Sequence, residues 1–82
     1  MSQVNPNFRV DILFPDEYQE MIAEVYFQDE FVCLITQEDG SESTDIEIGS
    51  AQTNKSFKFR LAEFEDALAF AKKRLWELRE TP

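Results

Sequence analysis

Two periods divide this chain. From Phe8 to Thr36 apolar residues tend to recur at every second position, whereas from Leu61 to Leu78 they recur every third or fourth. A period of two sets alternate side chains on one face of a pleated strand, and a period near 3.6 gathers them on one side of a helix. A sheet followed by one helix is therefore the architecture such a chain can fold into.

The segment "NFRVDILFP" alternates Phe8, Val10, Ile12 and Phe14 against Arg9, Asp11 and Leu13, a half-buried strand stopped by Pro15. "PDEYQE" then offers Pro at a first helical position with acids behind it, which suits a short helical turn or tight loop. "EMIAEVYFQDEFVCLITQE" reads as a hairpin, with Asp29-Glu30 as its two-residue loop. In that register Phe27 faces Val32, Val25 faces Leu34 and Ala23 faces Thr36. Asp-Glu is a poor type I′ turn because neither residue favours positive φ, so a longer loop with a shifted register stays open. The second strand is apolar on both faces and belongs inside the sheet.

"EDGS" is a further turn around Gly40, and "STDIEIG" turns Ile46 and Ile48 inward and Asp45 and Glu47 outward. After "SAQTN", the run "KSFKFRL" turns Phe57, Phe59 and Leu61 inward, with Lys58 and Arg60 outward. Antiparallel pairing of these two runs sets Asp45 and Glu47 across from Arg60 and Lys58. The helix carries one stripe, Leu61, Phe64, Leu68, Ala71, Leu75 and Leu78, with acids early and bases late, as the helix dipole favours. The expectation is an α+β fold: an antiparallel sheet of four or five strands with one C-terminal helix packed on one face. Residues 1–82 form a single domain, strand-rich over 7–61 and helical over 61–80.

Composition narrows the chemistry. The chain has no histidine, which removes Ser/His and Cys/His nucleophile pairs, imidazole bases and the usual zinc sites. Its single cysteine, Cys33, lies in an apolar strand and reads as a buried, inert thiol suited to a reducing cytosol. "EDGSESTDIE" gathers oxygen ligands around a glycine, but its spacing is not that of a calcium loop. No cofactor or metal site is expected, and no enzyme. No apolar run is long enough to span a bilayer and no signal peptide is visible, so a cytoplasmic location is expected.

Charge is the functional signal. Val10 to Asn54 holds twelve carboxylates and not one Lys or Arg, while the remainder holds five acids and eight bases. Such a surface disfavours nucleic acid and anionic membranes and favours a basic protein. The contacts expected for that partner are Glu24, Tyr26, Glu38, Asp39, Glu42, Asp45 and Glu47. On the helix, Phe70 falls opposite the stripe and Trp76 on its flank. Both are candidates for self-association, and a small acidic homodimeric adaptor is the alternative function.

Glu17 to Gly40, "EYQEMIAEVYFQDEFVCLITQEDG", resembles small bacterial immunity proteins that accompany polymorphic or contact-dependent growth inhibition toxins. These look like E-Y-x-E-M-I-A-E-I-Y-F, a short turn, and an apolar strand ending in Q-E-D-G. The helix Leu61 to Arg79 agrees with theirs in character, whereas Asp29-Glu30 lacks the glycine their turn carries. The resemblance implies stoichiometric neutralisation of a cognate toxin, many of which are nucleases. It transfers no binding residue.

Overall fold

The structure is a computed structural model that describes residues 2–38, 44–48 and 57–80. It has an α+β arrangement: an antiparallel five-stranded sheet in simple sequential order, and one C-terminal helix. The strands are β1 (Ser2–Gln3), β2 (Phe8–Leu13), β3 (Ile22–Phe27), β4 (Glu30–Thr36) and β5 (Asp45–Ile48), and α1 is Leu61–Glu80. No described helix is long and apolar enough to cross a membrane.

The central hairpin forms, but its loop is Gln28-Asp29 rather than Asp29-Glu30. Both residues take positive φ, 49° and 68°, the geometry of a type I′ turn. This closes Phe27 against Glu30 and Tyr26 against Phe31; Val32 then bulges, and Val25 meets Cys33. The shift turns Cys33 and Ile35 to the helix side, and Leu34 and Thr36 to the other face, the reverse of the expected register. A strand apolar on both faces carries no pattern to fix its register, so the turn and the bulge decided it.

The edge strand β1 was not anticipated from the sequence. It is held by Asn5, whose Oδ1 accepts the Asn7 and Phe8 N–H groups at 3.1 and 3.0 Å and turns the chain back into β2. Asn7 Nδ2 donates to Glu63 Oε1 at 3.0 Å and Asn5 Nδ2 to the Glu63 carbonyl at 3.3 Å, tying this corner to the first turn of α1. Pro15–Tyr18 forms a tight turn, with the Tyr18 N–H donating to the Pro15 carbonyl.

The described part of the run "KSFKFRL" is not a strand. Phe57 to Arg60 has no regular structure and pairs with no described strand, so Arg60 and Lys58 do not stand across from Asp45 and Glu47. Phe57 and Phe59 instead join Phe8, Phe27 and Phe64 in an aromatic cluster with ring centroids 4.9 to 6.5 Å apart. Alternation places both rings on one side whether or not the backbone enters a ladder, and here the open rings of Phe8 and Phe27 were the better partner.

The helix lies against β2 and β3. Its buried centre is Ala67, Ala71 and Leu75, and the two alanines let the backbone approach the sheet. These meet Phe8, Val10, Ala23, Val25, Cys33 and Ile35 to form the core. Leu61, expected inward, is exposed at the helix start. One helix does not span five strands: Ile46 and Ile48 share a face with Ile35 and Cys33, yet remain 45% and 68% exposed. They are not the buried residues their alternation implied, because β5 lies beyond the helix's reach.

Candidate functional site

The face of the sheet away from α1 carries no second helix among the described residues. Cross-strand register sorts its side chains into rows. One runs Arg9, Tyr26, Phe31. The next runs Asp11, Glu24, Leu34, Glu47 across four strands, and Thr36 opposes Asp45 beside it. Three carboxylates therefore share a row, with Leu34 between Glu24 and Glu47. Two strand spacings put Glu24 and Glu47 roughly 10 Å apart, within the range where charges still repel at moderate salt.

Arg9 is the single cation in these rows. Its Nη1 donates to Asp29 Oδ1 at 2.6 Å, its Nε stands 3.4 Å from Asp11 Oδ1, and its guanidinium lies 4.3 Å from the centre of the Tyr26 ring. The Nε and Oδ1 atoms are shielded from solvent without an aligned hydrogen bond, so their attraction is Coulombic. Tyr26 also packs edge-on against Phe31 and donates its hydroxyl to Glu24 Oε1 at 3.0 Å. Burial first, then that hydrogen bond and the negative charges of Glu24 and Asp11, raise the phenol's pKa above its ordinary value, with Arg9 acting in the opposite sense. The phenol thus stays protonated as a donor, oriented between an arginine and a carboxylate.

The expected contacts divide accordingly. Glu24 and Tyr26 are half-buried and bound to each other; Asp45 and Glu47 are exposed on β5 of the same face. Glu38 is exposed, but its carboxylate serves the fold. Both oxygens accept the Gln19 N–H at 3.1 Å, and Oε1 accepts the Glu20 N–H at 3.0 Å. The side chain pins the segment after the Pro15 turn to the end of β4. Asp39 and Glu42, with the Gly40 turn and "SAQTN", lie outside the described residues.

Sequence reasoning counted Asp11 in the acidic field without naming it a contact, and did not name Phe31 or Leu34 as members of this surface. Strand pattern had placed Asp11 outward, but membership of a row depends on the partner strand, which pattern alone does not name.

The two helix aromatics part ways. Phe70 was expected to point away from the apolar stripe; it is half-buried and packs against the core, so it is no free anchor for self-association. The buried arc of α1 is centred on Ala67 and Ala71, rotated from the Leu/Phe stripe, which brings Phe70 to its margin. Trp76 is 53% exposed and borders a hollow of about 320 Å³ with Gln37, Thr44, Lys72 and Leu75. A second hollow of about 200 Å³, lined by Ile35, Thr44, Asp45, Ile46, Leu68 and Lys72, adjoins it. Gln37, buried at the rim of the first, donates Nε2 to the Met21 carbonyl at 3.1 Å. Among the described residues no group of three or more acidic or cysteine side chains is placed to hold a metal ion.

Fold and site together define a class by shape and charge: a small α+β protein whose one helix covers part of one sheet face and whose opposite face is acidic and aromatic. Comparison with protein-family models, curated proteins and solved structures finds no match.

Proposed function

We propose that this chain is an immunity protein, a binding protein that neutralises a cognate bacterial toxin by covering its active or substrate-binding surface. The observation that supports the reading most is the row Asp11, Glu24, Glu47. Like charges set across a sheet destabilise it, and association with a basic surface relieves that repulsion. Tyr26 and Phe31 stand beside the row as aromatic anchors of the kind that dominate interface energetics. A nuclease domain suits such a surface, because its substrate groove is lined with cations. The setting is the cytoplasm, and the chain itself performs no catalysis.

The test is capture of the domain encoded at the end of the reading frame immediately upstream. Reversal of Glu24, Asp45 and Glu47 to Lys is expected to weaken that complex at least roughly a hundredfold at low salt, with a smaller loss at high salt. Equal affinity of native and reversed proteins would sink the electrostatic reading. The alternative, a homodimeric adaptor joined through Trp76, requires a mass that rises with concentration and falls back in Trp76→Ala.

A further inference from the structure

All four residues of β5 are exposed, and β5 is the last strand of the sheet. Its ladder is to β4, and among the described residues no strand stands on its far side. Such an edge presents a row of backbone N–H and C=O groups that template another strand. The side chains of β5 are sorted by face. Asp45 and Glu47 project to the acidic face, whereas Ile46 and Ile48 project to the helix side without being covered. Beside Ile46, between β5 and α1, lies the apolar hollow of about 200 Å³ that Leu68 and Ile35 also line.

We infer that β5 is a docking edge for an extended segment of the basic partner, a strand in which Lys or Arg alternate with apolar residues. The inference rests on the basic-partner reading above and names how that partner is held. Three features of the edge select the same occupant. Backbone groups provide the ladder; a two-residue period sets every cation of the added strand toward Asp45 and Glu47; the intervening apolar side chains then lie along Ile46 and Ile48. A helix or a uniformly cationic loop satisfies the charge but leaves the ladder and the isoleucines unmet. A second copy of β5 is disfavoured, because antiparallel pairing with the acidic faces aligned sets carboxylates against carboxylates. In the free protein the same carboxylates protect the edge from self-pairing, so one pair of charges both rejects like strands and selects an opposite one.

The experiment titrates the isotopically labelled full chain, at low salt, with a capped peptide of alternating Lys and Val, about seven residues long. Two controls accompany it: the same peptide N-methylated at two adjacent central residues, which blocks both of its edges, and a peptide of equal composition with Lys and Val in separate blocks. The expected result is amide shifts and slowed exchange at Asp45–Ile48, with roughly tenfold weaker binding of either control. The double reversal of Asp45 and Glu47 to Lys should abolish the response while the spectrum stays folded. Equal binding of methylated and unmethylated peptides, or shifts centred on Asp11 and Glu24, would overturn edge docking and leave the basic-partner reading standing. Absence of any response to the alternating peptide also overturns it, and the upstream-domain capture then judges the broader reading separately.

Discussion

Asp11 and Glu24 stand directly across from each other on β2 and β3, two carboxylates in one cross-strand pair on the face that α1 leaves uncovered. Arg9 compensates one of them and Tyr26 orients the other. Glu24→Gln keeps the acceptor for the Tyr26 hydroxyl and removes the repulsion. It is expected to stabilise the free protein by about 0.2 to 1 kcal/mol at low salt and to weaken partner binding. Urea titrations at low and high salt check the first half; the gain should shrink as salt rises.

Gln28 and Asp29 occupy left-handed backbone in the β3–β4 turn without being glycine. Gln28→Gly removes the side-chain crowding at φ 49° and leaves Asp29 to hold Arg9, at the loss of the exposed 3.3 Å bond from Gln28 Nε2 to Asn7 Oδ1. A net gain of about 0.5 kcal/mol is expected, the usual steric cost of a non-glycine residue in this region less the added chain entropy and the lost exposed bond. Thermal unfolding checks it. Asp29→Gly should gain less, because it also discards the 2.6 Å contact with Arg9.

Glu38 anchors the Gln19 and Glu20 N–H groups. Glu38→Ala is expected to cost about 1 kcal/mol, a charge-assisted contact discounted for exposure, and to speed amide exchange at Gln19 and Glu20. Unchanged exchange there would remove its structural role and leave Glu38 as a partner contact alone.

Ala71 is fully buried where α1 meets the sheet. Ala71→Leu forces the helix away from the sheet and is expected to cost about 1 to 3 kcal/mol. The same change at the exposed Ala69 should be close to neutral, and comparing the two midpoints isolates the packing effect.

Burial pushes the Cys33 thiol up to about 11. The folded state therefore keeps its proton where the unfolded chain has already ionised. This contribution to stability is whole below the ordinary thiol value and is lost as pH rises toward 11. Denaturation midpoints should fall across that alkaline window, and by less in Cys33→Ala than in the native chain. At about pH 8 a thiol reagent should react only as fast as the protein opens.

Much of the architecture was legible because it depends on local period. The alternation of Phe8 and Val10 and of Ala23 and Val25 places them in the core, and the recurrence through Ala71 and Leu75 gives the helix. The outward placement of Asp11, Glu24, Asp45 and Glu47 follows from the same alternation. What period does not carry is the identity of the neighbour. "KSFKFRL" alternates as a strand does, yet commits its rings to an aromatic cluster. Ile46 and Ile48 alternate as core residues do, yet no described helix covers them.

The amino-acid sequence by itself determined a sheet followed by a helix, a chain without imidazole chemistry, and twelve carboxylates with no cation among them. These are properties of spacing and composition, which need no partner across the fold. Only the tertiary structure decided which carboxylates share a row, that Glu38 is a backbone anchor, that Phe70 packs against the core, and that among the described residues no strand lies beyond β5. Each depends on register and on the reach of a single helix across five strands. Register in turn was set by a two-residue turn at positive φ and a bulge at Val32, neither of which leaves a mark in the hydrophobic period.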